Sequence, residues 1–558
     1  MMGPAHSIDL SMILFLLLGA GPAATPGQGH PLFRARDLRA GEEVIELVCG
    51  GADKDYILEV NGGGLVVADF DLDGHLDLVT VNGSTIDRVR AGKEALPSVL
   101  WLGNGSGEFR RGGPEWKLAG GVWGMGGTAG DIDADGDPDL VITEWGRNRV
   151  FLNEGGKGFR AVEASGLTGD HWSTSCALLD HDADGKLDLV VINYLEFDLE
   201  TAAGPGGACR WKGHDVMCGP EGLTPTHDQL FRGNGDGTFV DVSVKSGFRP
   251  EKACFGLGVM TLDYDRDGDT DLYVSNDSMP NHLWENQGDG RFVEVGWRRG
   301  VSHDSNGREQ AGMGIGCADV DGDGRSDLFV TNFSGESNAL YRSSRKTGFR
   351  EKADVARLGG PSIQRLGWGT GMWDYDLDGF IDVSVINGHV YPAADLVGTD
   401  TSYAQADQLF LGGPEQRFAE RALSSATAGV GRASVSADFD GDGDLDLVVV
   451  QMGGPVRFLE NRADGIEGRH WFSLTLSATA SHPDAIGAHV RVQVGDASYT
   501  GEVRTTAGYQ AGCSTRLHFG LGAAETLDEV RIEWPSGRVQ VLEDVAVNQH
   551  LRVTEETE

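Results

Sequence analysis

The sequence predicts an all-β protein, a seven-bladed β-propeller followed by a small all-β C-terminal domain. Three observations carry this expectation. A nine-residue pattern, D-x-D-x-D-G-x-x-D, occurs seven times. Each copy is followed by a short run of branched residues, such as LVTVN or LVVIN, and most of these by an aromatic strand and a glycine turn, as in LWLGNGSGEF and LFRGNGDGTF. After about Asn461 the pattern stops and alternating segments such as HVRVQVG and VRIEWPSG take over. Branched and aromatic runs bounded by Asn/Gly turns are hairpin chemistry. Units of about four short strands cannot bury a face singly, but packed radially they form a propeller.

Composition agrees. Of 558 residues, 84 are glycine, roughly twice the usual share, as many tight turns require. The hydrophobic fraction of 40% is ample for a core. Acidic residues number 85 against 46 basic ones, a formal charge of −39. That balance excludes nucleic-acid binding through a large basic patch and is equally poor for anionic lipid.

Residues 1–24 read as a signal peptide. The apolar run from Met12 to Ala20 is too short to span a bilayer, and the small residues Gly21, Ala23 and Ala24 suit a peptidase site. The expected location is therefore extracytoplasmic (secreted, periplasmic or cell-surface), with no transmembrane segment in the mature chain.

Residues 31–464 are assigned to the propeller. Small residues recur seven and five positions before each motif, from Gly62 and Gly64 to Gly431 and Ala433, where innermost strands crowd an axis. The seventh unit lacks a fourth strand of its own. PLFRARDLRAG near Phe33 resembles the missing strand, so the N-terminus is expected to close the ring.

The motifs are read as calcium loops. Their candidate ligands are Asp69, Asp71, Asp73 and Asp77; Asp131, Asp133, Asp135 and Asp139; Asp180, Asp182, Asp184 and Asp188; Asp263, Asp265, Asp267 and Asp271; Asp319, Asp321, Asp323 and Asp327; Asp374, Asp376, Asp378 and Asp382; Asp438, Asp440, Asp442 and Asp446. Carboxylates at positions 1, 3 and 5 with Gly at 6 form the first half of a calcium loop. Position 12 is Thr80, Ile142 or Val in every copy, which rejects the EF-hand and makes the Asp at position 9 the closing ligand. All-oxygen ligands favour Ca²⁺, up to seven ions in a structural role.

A ligand face is expected opposite these loops, where the connections between second and third strands are long: residues 83–97, 194–226 and 388–406. Candidates there are Arg210, Trp211, His214, Asn387, His389 and Tyr391. Asn387 belongs to a register, thirteen residues after each first Asp, that either frames the mouth or caps its own turn. Trp123, Trp172, Phe255 and Trp368 approach the same entrance, with core packing the plainer reading. Of seven cysteines, Cys209 and Cys218 in CRWKGHDVMC are the disulfide candidates. No catalytic or cofactor-binding residue is assigned beyond the calcium loops.

The repeats resemble the FG-GAP/VCBS type of integrin α-subunit propellers. Residues 465–555, with AIGAHVRVQVG, FGLG and WPSG, are similar to the ASPIC/UnbV domain, and CRWKGHDVMCGPEGL and INGHVYP resemble bacterial cartilage-acidic-protein-like proteins. The resemblance implies a secreted calcium-binding propeller with a small β tail. The expected role is a non-catalytic binding or adhesion module for an extracellular or periplasmic glycan or protein. The alternatives are a carbohydrate-active lyase or dehydratase on the same ring and an accessory to secondary-metabolite biosynthesis.

Overall fold

The computed structural model describes residues 32–557 except 203, 205–208, 425–427 and 464–465; the proposed signal segment lies outside the described residues. Seven four-stranded antiparallel units are present among them. Blade 1 comprises Gly64–Ala68, Asp77–Val81, Val99–Gly103 and Phe109–Arg111. Blades 2 and 3 begin at Trp123–Gly130 and His171–Leu179, blades 4 and 5 at Gly256–Leu262 and Ile315–Ala318, and blades 6 and 7 at Gly367–Trp373 and Gly431–Ala437. These innermost strands neighbour one another in order, and the seventh returns to the first, so the units form a closed propeller.

Blade 7 takes its outer strand from the other end of the chain. Arg34–Asp37 pairs antiparallel with Arg457–Glu460, Arg34 opposite Glu460 and Asp37 opposite Arg457. Phe33 is buried and packs edge-on against Tyr375 at 5.6 Å. This joins the two ends of the propeller sequence by ladder hydrogen bonds and gives blade 7 its fourth, outermost strand.

Apolar positions alternate along each strand and meet between blades. Leu65 and Val67 of blade 1 share a core with Val435 and Val448 of blade 7, whereas Val66 and Val79 share one with Leu140 and Ile142 of blade 2. A period of two thus gives every sheet two buried faces. Trp123, Trp172, Phe255 and Trp368, none more than 7% exposed, form an aromatic core under one mouth of the axis. The plainer reading of these four residues is the one observed.

The tail is a two-sheet sandwich. One sheet places His470–Ser477 between Leu517–Gly522 and His550–Thr554. The other runs Ala497–Glu502, His489–Val494, Thr526–Glu533, Val539–Ala546. Inward residues of both sheets, among them Leu474, Val490, Phe519 and Ile532, join Ile132, Leu178 and Leu187 of blades 2 and 3 in one continuous core. The tail therefore packs on the ring and shares its apolar interior.

Residues 505–512 of the tail enter the axis. Ala511 and Gly512 pair in parallel with Leu65 and Val66. The Val259 amide donates to the Gly508 carbonyl at 3.0 Å, and the Gln510 amide donates to Ser175 Oγ at 2.9 Å. Tyr509, fully buried, donates its hydroxyl to the Asn61 carbonyl at 2.8 Å. The small-residue register now has a second cause. A Cβ on Gly64 would stand 2.4 Å from the Gln510 carbonyl oxygen, and one on Gly258 2.6 Å from that of Gly508.

Candidate metal centres and the opposite loop face

Each acidic loop joins the first and second strands of a blade. In blade 1, Asp69 Oδ2 accepts from the Gly74 amide at 3.0 Å, drawing position 6 over position 1. The turn needs two left-handed residues, at positions 4 and 6. Glycine supplies position 6 throughout, from Gly74 (φ 93°) to Gly443 (φ 96°). Position 4 is glycine only in blades 5 and 7; Leu72, Ala134, Ala183, Arg266 and Leu377 hold φ between 55° and 66°. A side chain there costs about 1–2 kcal/mol, so these loops hold strain that the rest of the loop must offset.

The position 9 carboxylate does more than close the loop. One oxygen of Asp77 accepts from the Phe70 amide and the other from Gly103 at the end of the third strand, both at 2.8 Å. Asp139, Asp271 and Asp446 make the same two-sided clamp. Burial, reinforced by neighbouring carboxylates, pushes Asp77 up to about 8 and Asp446 up to about 9.

The position 3 residues differ. Asp71, Asp133, Asp182, Asp265 and Asp376 each keep a buried Oδ1 with no hydrogen-bond partner. Such an orphaned acceptor costs about 1–3 kcal/mol unless something cationic meets it. Carboxylate oxygens of Asp69, Asp71 and Asp77 lie within 4.8 Å of one another, as do those of Asp131, Asp133 and Asp139 and of Asp263, Asp265 and Asp271. Two oxygens bound to one ion at about 2.4 Å are at most about 4.8 Å apart, so these sets fit a divalent cation of calcium's bond length.

Blade 5 departs from this pattern. Arg342, with its side chain 13% exposed, contacts Asp321 at position 3 and lies 2.9 Å from Asp327 Oδ2 at position 9. Leu102, Leu152, Arg232, Glu285, Leu411 and Glu460 precede the equivalent turns in the other blades. Sequence reading missed Arg342 because its partners lie 15 or more residues upstream, outside the motif.

The tail covers the loop side of the ring. His482 Nε2 donates to the Asp131 carbonyl at 2.9 Å and Thr500 Oγ1 to Asp319 Oδ2 at 3.2 Å. The Gly522 amide donates to Leu377 O at 3.1 Å and His518 Nε2 to Gly443 O at 2.8 Å. With the Asp263 amide bonded to Glu502, the acidic loops of blades 2, 4, 5, 6 and 7 all touch the tail.

The opposite face carries the long connections. In blade 3 a small hairpin, Cys209–Trp211 with His214–Val216, is closed by the Cys209–Cys218 disulfide. It lies across to the blade 6 connection. The Trp211 ring stands 4.7 Å from that of His389 and 5.6 Å from Tyr391. His214 Nε2 is 3.1 Å from the Val397 carbonyl, and Lys212 pairs with Asp400. Arg210 turns away, donating to Asp215 at 2.9 Å. Trp211, His214, His389 and Tyr391 are thus brought to one patch, and Arg210 to its exposed edge.

Two candidates are interior. Asn387 is 1% exposed and its amide donates to the Ala406 carbonyl at 3.0 Å, so it caps its own turn. Asn332 does likewise toward Ser337. His389 is wholly buried, its Nδ1 accepting from the Tyr391 amide. Burial, with Arg432 and Lys212 nearby, pushes it down to about 3, so it is a neutral ring under Trp211.

This geometry defines a class: a β-propeller with acidic inter-strand loops and a β-sandwich tail docked over them. Residues 69–142, 131–191 and 263–330 match the FG-GAP-like repeat, and residues 478–558 match the ASPIC and UnbV family. The matches place FG-GAP-like repeats in the ring and an ASPIC and UnbV segment at the C-terminal tail. Cartilage acidic protein 1 of Homo sapiens is 26% identical over 322 residues, 47% of either chain. The namesake in Xenopus tropicalis is 31% identical over 167 residues, 28% of this chain and 25% of that one. The chain thus spans about half the length of the human relative. An Agrocybe aegerita lectin structure, described as recognising non-reducing terminal N-acetylglucosamine, covers 76% of this chain and 96% of its own at 15% identity and TM-score 0.39. The Burkholderia pseudomallei lectin BP39L covers 71% and 95% at 11% identity and TM-score 0.39. Similarities this low carry no argument about function.

Proposed function

We propose that this protein is an exported calcium-binding propeller that holds a glycan or protein partner on the face opposite its metal loops. The observation that carries the reading is the division of the ring into two faces. The tail occupies the acidic face. The other presents a disulfide-closed hairpin laid against a second long connection, with Trp211 half-buried and Leu396 and Val397 exposed at 51% and 96%. Aromatic and apolar side chains held rigidly on a scaffold are what binding surfaces use. The disulfide supports an oxidising compartment. Among the described residues, no helix is long and apolar enough to cross a membrane.

Calcium is proposed for the loops of blades 1, 2, 3, 4, 6 and 7, held by the aspartates at positions 1, 3, 5 and 9. It would neutralise carboxylates that otherwise repel one another and fill the orphaned position 3 sites. In blade 5 the guanidinium of Arg342 takes that part. Proton abstraction by Arg210, His214 and His389 finds no support in this arrangement, since Arg210 is engaged by Asp215 and His389 is buried and neutral.

A glycan array and an extracellular-protein binding screen test the reading. Binding that needs calcium and is lost in Trp211→Ala is expected. Binding of a partner that ignores Trp211 and the hairpin would place the site elsewhere and defeat the proposal.

A further inference from the structure

The loop of blade 2 differs from the other six in its charge and in what holds it. Position 7 is His75, Lys186, Arg325 and Phe380 in blades 1, 3, 5 and 6, and aspartate in blades 2, 4 and 7. In blade 2 this aspartate is Asp137, 3% exposed. One of its oxygens accepts from the Gly155 amide at 2.6 Å. The other, Oδ1, is buried and has no partner. The charges that act on Asp137 are those of Asp135 and Asp133, so its carboxylate stands beside the candidate ligands of this loop.

The tail adds a further carboxylate. Its turn at 482–484 grips the backbone of Asp131 on both sides. Asp484 Oδ2 accepts from the Asp131 amide at 2.8 Å, and His482 Nε2 donates to the Asp131 carbonyl at 2.9 Å. His482 Nδ1 accepts from the Asp484 amide at 3.3 Å, so this ring is neutral and offsets no charge. The next residue, Ile132, is 1% exposed in the core that ring and tail share. Position 1 of the loop is therefore fixed before an ion arrives.

Among the described residues, no Lys or Arg pairs with an aspartate of this loop. Arg160, whose charge reaches Asp133, is bound to Glu154 at 3.3 Å. Blade 4 also receives a tail carboxylate, Glu502, but Arg504 neutralises it at 2.8 Å. In blade 7, Asp438 faces the charge of Arg516. Calcium affinity rises with the number of carboxylates around the ion and with the rigidity of the site, and blade 2 leads on both counts.

We propose that blade 2 holds the most tightly bound calcium ion of the ring, its affinity set by Asp137 within the loop and by Asp484 reaching in from the tail. Coupling of this kind is reciprocal, so the ion that Asp484 helps to hold also fastens the tail to the ring. The inference rests on the reading of the loops as calcium sites.

The test is a calcium titration of the full chain, stripped with EGTA, against a fluorescent chelator, read as ions bound per chain. One ion is expected to bind at least about tenfold more tightly than the rest. Asp137→Asn and Asp484→Asn each keep an oxygen for the backbone amide now bonded and remove only the charge. Each should weaken the first ion at least about threefold and leave the later ions unchanged. Asp376→Asn, in blade 6, should leave the first ion intact. Lys186→Asp, which puts a carboxylate at position 7 of blade 3, should tighten one of the later ions. Should Asp484→Asn fold poorly, Asp137→Asn and the gain in Lys186→Asp still decide. No bound calcium at all would overturn both this inference and the reading of the loops. Calcium held equally by every loop, a first ion indifferent to both Asp137→Asn and Asp484→Asn, or a first ion lost in Asp376→Asn would overturn this inference alone.

Discussion

Asp271 and Asp265 sit six residues apart in one loop and hold it by different means. Asp271 accepts from the Tyr264 amide at 3.1 Å and from Asn286 at 2.7 Å. Asp265 keeps an oxygen with no partner. Asp271→Asn turns an amide toward a backbone N–H, and a loss of about 1–3 kcal/mol is expected in urea unfolding even with EGTA present. Asp265→Asn should matter little in EGTA and lower the stability gained from calcium. Equal effects of the two variants under both conditions would show that the clamp and the ligand are not distinct. Arg342 offers a sharper count. Metal analysis of the purified protein should give six calcium ions per chain, and Arg342→Ala should give seven. Seven ions before the substitution would mean that the guanidinium yields to metal.

At the scale of one element, the blade 3 hairpin is held by the disulfide at its base and by ring contacts at its tip. A closed loop of this length restricts the unfolded hairpin by about 2–3 kcal/mol. That energy belongs to the hairpin, because residues 209–218 make no ladder with the blade strands. Cys209→Ser with Cys218→Ser is therefore expected to leave the melting temperature of the ring nearly unchanged. Trp211 should become mobile, seen as a red-shifted and more quenchable indole emission, and partner binding should fall. A large drop in the global melt would place the hairpin in the folding core instead.

For the whole molecule, the decisive feature is that ring and tail share one interior. Residues 505–512 fill the axis, and the tail rests on the acidic loops of five blades. Melting should therefore be a single transition by calorimetry, moved down together by EGTA, since calcium binding the folded state stabilises by mass action. Two transitions, with only the earlier one sensitive to the chelator, would show that the tail docks loosely. Removing residues 466–558 uncovers Ile132, Leu178 and Leu187 and empties the axis. Each side chain of that kind loses about 1.5–3 kcal/mol on exposure, so the truncated ring should aggregate.

The strands, turns and acidic loops could be read from the chain because their causes are local. A glycine at position 6, an aspartate at position 9 and a period of two each act within about ten residues and repeat seven times. Closure of blade 7 by the segment near Phe33 was also legible, since a missing strand and a spare one match in pattern. The small-residue register gave away a crowded axis but not its occupant. Tyr509 and Asn61 meet across 448 residues, and Thr505 and Leu178 across 327. Neither pair belongs to any period, so no pattern announces it. Arg342 beside Asp321 and the burial of His389 are of the same kind. Repetition along a chain fixes what each unit becomes. Which surfaces then face each other depends on packing the units in three dimensions, where charge and volume must be satisfied by whatever residues arrive.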